Sequence, residues 1–277
     1  MRAAAVQLNC TTDTDRNLES ADGLTRAAAA DGADLVVLPE RLDLRGGARL
    51  YADRAGPLDG RPLRWARALA SELGIDLVAG SIAERREGRE RLSNTSVHVA
   101  PDGEVRAVYR KIHMFDVDVG GLEYRESEHS EAAGEIVLTD TAEGVPVGLT
   151  ICYDLRFPEL YRILALRGAR IVTIPSNFTR VTGRAHWEVL IRARAIENQV
   201  FVIAPGQAGR QPPEGESYGN SMIVDPWGTV LARAGEDEEC FVAADLDLAG
   251  QDEIREKLPS LANRVPAAYR WPQEARV

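Results

Sequence analysis

Short β-branched runs alternate with longer helical stretches along most of the 277 residues, and this alternation constrains the fold more than any other feature. It marks an α/β architecture, because a strand that feeds a helix returns beside its predecessor and pairs with it in parallel. Strands are predicted at 3–8, 35–38, 77–79, 95–99, 105–109, 147–151, 171–174, 200–204, 222–224 and 241–244. Helices are predicted at 15–30, 62–73, 159–166 and 187–198, the second with Pro62 in its first turn. No linker or internal repeat interrupts the pattern, so residues 1–277 read as one domain, whose length suits an α/β fold with a second sheet. Two stretches read as loops that could border a site: 120–134, and 208–219 with its Pro212-Pro213-Glu214-Gly215-Glu216. The acidic run Glu236-Asp237-Glu238-Glu239 reads as a solvated turn.

Composition removes several function classes. With 44% hydrophobic and 27% charged residues the chain can bury a sizeable core, so general disorder is not expected. A net charge of -10 argues against a nucleic-acid partner, whose phosphates call for clustered Lys and Arg. No apolar run approaches the roughly 20 residues that span a bilayer, and the opening segment turns polar too soon for a signal peptide. A cytoplasmic protein with no membrane partner is expected. Cys10, Cys152 and Cys240 are odd in number and far apart, which suits a reducing compartment better than a disulfide framework. The four histidines form no pair at ligand spacing and no Cys-x-x-Cys occurs, so no metal or other cofactor is expected. No Gly-x-Ser-x-Gly elbow joins a strand to a helix, the one match at Gly215–Gly219 falling inside the 208–219 loop, and Walker-type loops are absent as well.

Three strand ends carry reactive groups. The apolar run before Cys152 stops at the cysteine and turns toward a helix, a position that exposes sulfur at a sheet edge beside N–H groups suited to a thiolate or an oxyanion. Alone, Cys152 reads equally well as a small buried hydrophobe. Glu40 follows Leu38-Pro39, where proline ends the ladder. A carboxylate there can take a thiol's proton and return it to a leaving amine. Lys111 follows another β-rich run, and an ammonium in a partly dry pocket stabilises an oxyanion. Singly, Glu40 and Lys111 also pass as solvated charges. Together the three are more specific, because open α/β sheets build their sites at the carboxyl ends of strands.

These residues lie in stretches that resemble the nitrilase superfamily of carbon–nitrogen hydrolases, and within it the Nit branch that includes omega-amidases. The resemblance rests on Leu38-Pro39-Glu40, on Tyr109-Arg110-Lys111-Ile112-His113, on Ile151-Cys152-Tyr153-Asp154-Leu155-Arg156-Phe157-Pro158-Glu159-Leu160, and on 175–179, 185–188, 192–199 and 221–228. It covers nearly the whole chain. It implies a four-layer α-β-β-α sandwich assembled as a homodimer or larger oligomer, acting on a small-molecule amide without a cofactor. It implies Glu40 as general base, Lys111 as oxyanion stabiliser, Cys152 as nucleophile, the Tyr153 N–H as second oxyanion donor and Glu126 as a further active-site carboxylate. Phe178 is a candidate substrate contact. Arg156, four residues after Cys152, is a candidate for a carboxylate at the far end of the substrate, with Asp154 or Glu159 as alternative internal partners. Asn220 stands where many relatives carry His, which with the 208–219 loop bears on substrate preference.

Overall fold

The structure is a computed structural model, and it describes residues 1–212 and 215–270. Two sheets lie at its centre. In the first, Arg2–Gln7, Leu35–Val37 and Asp76–Val78 run parallel, with Cys240–Asp245 antiparallel at one edge. Ser93–Val99 continues this sheet antiparallel to Asp76–Val78 and also pairs with Ile82–Glu84 and Val105–Arg110. In the second sheet Pro146–Leu149, Ile171–Thr173 and Phe201–Ala204 run parallel at the middle. Leu138–Asp140 flanks them on one side and Met222–Val224 with Val230–Arg233 on the other, all antiparallel.

The period of two along each strand decides how the layers stack. Ala3, Ala5, Leu35 and Val37 share one apolar cluster with Val147, Leu149 and Val202 of the second sheet. Their neighbours Ala4, Val6, Val36 and Leu38 turn the other way, onto Leu18, Ala21, Leu63 and Ala66 of the helices Thr14–Ala30 and Arg61–Leu73. In the second sheet Gly148 lies under the helix Pro158–Leu166, where an added Cβ would come within 2.9 Å of Leu164 Cδ1. The helix Arg180–Asn198 buries Trp187, Ile191 and Ala195 in the same cluster. The order is helix, sheet, sheet, helix: the α-β-β-α sandwich that the resemblance implied.

All ten predicted strands are present, most within a residue or two of their predicted bounds. The last long helix starts at Arg180 rather than at 187. Gly183 disguised its first turns, and it is needed because the Tyr218 ring occupies the place of a Cβ there. Two short helices, Ala48–Arg54 and Leu248–Lys257, gave no clear periodic signal. The stretch 120–134 is not all loop. Leu122–Arg125 pairs with Asp116–Val119 across Gly120 and Gly121, both at positive φ as a tight hairpin turn requires. The 208–219 stretch likewise holds a small pairing of Arg210–Gln211 with Gly215–Glu216, while Pro213 and Glu214 lie outside the described residues.

Candidate active site

Strands of both sheets end around one cavity of about 470 Å³, of a size suited to a small ligand. Glu40, Lys111, Glu126 and Cys152 all line it, and each is buried. Glu40 follows Leu35–Val37 by three residues, and Lys111 is the first residue beyond Val105–Arg110. Cys152 comes just after Pro146–Leu149 and opens a 3₁₀ turn, Cys152–Arg156. Its φ is +46°, a left-handed conformation that costs a non-glycine residue about 1–3 kcal/mol. Arg41, next to Glu40, has φ +59° and also lines the cavity. Backbone strain thus gathers at the site, as it does where geometry serves chemistry.

The Glu40 carboxylate is held by three donors. Its Oε1 accepts from Asn94 Nδ2 at 2.7 Å and from Lys111 Nζ at 3.2 Å, and its Oε2 accepts from the Asn177 N–H at 2.8 Å. An ionised carboxylate offers about four acceptor directions, so the free one lies on Oε2, and the charge of this carboxylate acts on the Cys152 thiol across the cavity. Glu126 accepts from Lys111 Nζ at 2.8 Å and the Phe115 N–H at 2.9 Å on Oε2, and from Asn94 Nδ2 at 3.1 Å on Oε1. Arg41 Nη2 stands 3.7 Å from that Oε1. Asn94 also accepts the Lys111 N–H on its backbone carbonyl at 2.9 Å. It touches Glu40, Lys111 and Glu126 at once.

These contacts set the protonation states. Burial, then the charge of Glu40, push the Cys152 thiol well above its usual value, with Lys111 and the Asn177 N–H pulling weakly the other way. The resting cysteine therefore carries its proton, where the sequence suggested that helix-terminal N–H groups would favour a thiolate. Burial alone would lower the Lys111 ammonium, but the carboxylates of Glu126 and Glu40 outweigh it and hold the group charged. Glu126 is driven down to about 2: burial opposes its ionisation, and Lys111 and Arg41 overcome that.

Three N–H groups open the turn at Cys152. That of Cys152 goes to the Pro175 carbonyl at 2.9 Å and that of Asp154 to the Ile151 carbonyl at 3.0 Å. The Tyr153 N–H has no acceptor among the described residues, and Tyr153 itself is not among the residues that line the cavity.

The two proposed substrate contacts do not line the cavity. Arg156 reaches His186 Nδ1 at 3.3 Å and lies over the rings of Phe178 and Tyr153, at 5.3 and 5.9 Å. It pairs with neither Asp154 nor Glu159. Phe178 is buried against Trp187, ring centroids 5.0 Å apart. Asn220 is also remote from the cavity lining: at φ +54° its Oδ1 accepts from Arg233 Nη2 at 2.6 Å and its carbonyl from Trp187 Nε1 at 2.8 Å. Sequence reasoning missed Arg41, Asn94 and Asn177. Arg41, adjacent to Glu40, and Asn177, inside the 175–179 stretch, carried a signal; Asn94 carried none.

Comparison with known proteins agrees with this arrangement over nearly the full length. The omega-amidase NIT2 of Bos taurus is 39% identical over 269 residues, covering 97% of this chain and 96% of the relative. The deaminated glutathione amidase of Mus musculus is 42% identical, covering 96% and 84%. Among solved structures, the Nit3 protein of Saccharomyces cerevisiae, a member of branch 10 of the nitrilase superfamily, superposes with a TM-score of 0.85 at 32% identity, covering 94% of each chain. The family model for carbon-nitrogen hydrolases matches residues 2–256, the span that contains both sheets and every cavity residue named above, and this chain belongs to that family.

Proposed function

We propose that this chain hydrolyses a small carboxamide, a dicarboxylic acid monoamide above all, to a carboxylate and ammonia through a thioester on Cys152. The observation that carries the reading is the convergence on one cavity of a protonated thiol, a carboxylate with one acceptor direction left for it, and a buried ammonium. Glu40 takes the thiol proton, and the thiolate attacks the amide carbon. Lys111 Nζ and the Tyr153 N–H hold the oxyanion. Collapse breaks the C–N bond, and ammonia leaves with the proton from Glu40. Water then gives its proton to Glu40 and attacks the thioester, and expelled sulfur recovers that proton. Glu126 keeps Lys111 charged and placed throughout.

Both named relatives act on amides, which favours an amide over a nitrile or a carbamoyl amine. For a distal carboxylate the cavity offers Arg41 rather than Arg156. Arg41 lines the cavity and Arg156 does not, while Lys111 serves the reaction. Arg41 is buried, stacked over Tyr51 at 4.2 Å, and one carboxylate away from Lys111. We read residues 1–277 as one such domain, working in the cytoplasm, where three unpaired cysteines are at home, and as a homodimer or larger oligomer. Ile163, Leu166, Val189 and Ile196, exposed on the two helices of the second sheet, support that assembly.

Ammonia release from succinamate, 2-oxoglutaramate, deaminated glutathione, aliphatic amides, nitriles and carbamoyl amines tests the reading. Turnover of acidic monoamides is expected, and Arg41→Lys should lose about 10- to 150-fold in kcat/KM on succinamate but not on an uncharged amide, the worth of one charge-assisted contact. Inactivity on every carboxamide would refute it.

A further inference from the structure

We propose that Asp154 is a positioning residue whose buried carboxylate sets the spacing between Cys152 and Lys111. The inference rests on the reading of those two as nucleophile and oxyanion donor. Asp154 has no exposed surface and does not line the cavity. Its Oδ2 accepts from the Ile151 N–H at 2.8 Å and the Tyr109 hydroxyl at 2.7 Å. Its Oδ1 accepts from the His113 N–H at 3.2 Å and from His113 Nδ1 at 2.7 Å. These donors flank the working residues. Ile151 directly precedes Cys152 and Asp154 follows it by two, while Tyr109 and His113 stand two residues to either side of Lys111.

Lys111 and Cys152 come from strands of different sheets. Over most of their area those sheets meet through apolar side chains, a non-directional contact. Directional bonds such as Ser221 N–H to Gln7 Oε1 at 2.9 Å cross between them elsewhere, and those of Asp154 do so close to Lys111 and Cys152. Bonds to a shared acceptor limit the sliding that apolar contact allows. Four donors use the carboxylate's four acceptor directions, and burial strengthens each bond by excluding water. His113 is held from its other face too, stacked on Phe157 with centroids 3.6 Å apart and planes 7° apart, and Phe157 closes the turn that Cys152 opens. The left-handed backbone at Cys152 persists only if its surroundings over-determine it. Asp154 supplies part of that constraint through the Ile151 N–H. Oxyanion stabilisation is steep in distance, so a slack of about 1 Å is enough to cost on the order of 100-fold in rate.

Asp154→Asn keeps the volume, yet whichever way its amide turns, the NH₂ faces one backbone N–H, that of Ile151 or that of His113. A folded variant should lose about 10- to 100-fold in kcat with KM within about threefold. Tyr109→Phe, which spares three of the four bonds, should lose only about two- to fivefold. Wild-type kcat in folded Asp154→Asn, or a loss confined to KM, overturns the proposal. If Asp154→Asn does not fold, His113→Ala decides: a fall in kcat at constant KM supports the clamp, and unchanged kcat overturns it. Alkylation of Cys152 by iodoacetamide needs no knowledge of the substrate. Slower alkylation in Asp154→Asn, on a wild type that hydrolyses no amide, would uphold the clamp and sink the amidase reading. Unchanged alkylation and kcat on an active wild type would do the reverse.

Discussion

Replacing Glu126 with Gln tests the electrostatic part of the site, and the pH dependence separates it from the hydrogen bond lost with it. Glu40 and Glu126 balance Lys111 and Arg41 in the buried cluster, two charges of each sign. Glu126→Gln leaves a net buried positive charge, while the new amide oxygen still accepts from Lys111. The charge is lost, and the amide NH₂ at the Oε1 place meets the Asn94 Nδ2 donor, which adds to the cost. Against burial, the charges of Lys111 and Arg41 lower the carboxyl from an ordinary 4.5 to about 2, which is worth on the order of 3 kcal/mol of folding free energy. For a chain of this length that is a fall in Tm of about 6–12 °C at pH 7. Because the folded value lies below the unfolded one, this stability is fully present above about pH 4.5 and is lost as pH falls toward 2. The gap between wild type and variant should therefore narrow below pH 4.5. Urea unfolding of both proteins at pH 7, 5, 4 and 3 measures it. A gap under about 1 kcal/mol at pH 7, or one unchanged between pH 7 and 3, would refute the reasoning.

Asn94→Ala removes donors to Glu40 and Glu126 but keeps the backbone bond to Lys111. It should stay folded and lose about 10- to 100-fold in kcat, each lost charge-assisted bond being worth about 1.5–3 kcal/mol before water substitutes for it; wild-type kinetics would show that the two carboxylates hold their places without it. Light scattering at micromolar concentration should show a dimer or larger species, and Val189→Glu, at a position 67% exposed on the outer helix face, should dissociate it. A monomeric, fully active wild type would contradict that assembly.

Much of the core was legible because it is periodic. The alternation of Ala3 and Ala5 with Ala4 and Val6 placed opposite faces on opposite layers, and Glu40, Lys111 and Cys152 were visible as polar stops to apolar strands. Glu126 was reached through the resemblance alone, since its turn follows a hairpin whose alternating charged residues present no core face. Asn94 escaped notice because its side-chain partners lie 54 and 32 residues away, a relation that only the folded chain creates. Arg156 lies outside the cavity lining for a local reason. Nearness to Cys152 along the chain suggested that it reaches the substrate, but the segment is a 3₁₀ turn and the guanidinium meets His186, outside the cavity lining.

The central claim is that Cys152 is the residue acylated during amide hydrolysis. Its most direct test is rapid acid quenching during turnover of succinamate, followed by peptide mass mapping beside ammonia release, with Cys152→Ala, Cys10→Ala and Cys240→Ala in parallel. Burial pushes the Cys10 thiol up to about 12 and the thiol donates to the Leu42 carbonyl at 3.1 Å rather than to a carboxylate, so it serves as the matched control. An acyl mass on the Cys152 peptide, ammonia release lost in Cys152→Ala alone and retained in the other two, is the predicted result. Acylation at another residue, or wild-type ammonia release from Cys152→Ala, would contradict the account.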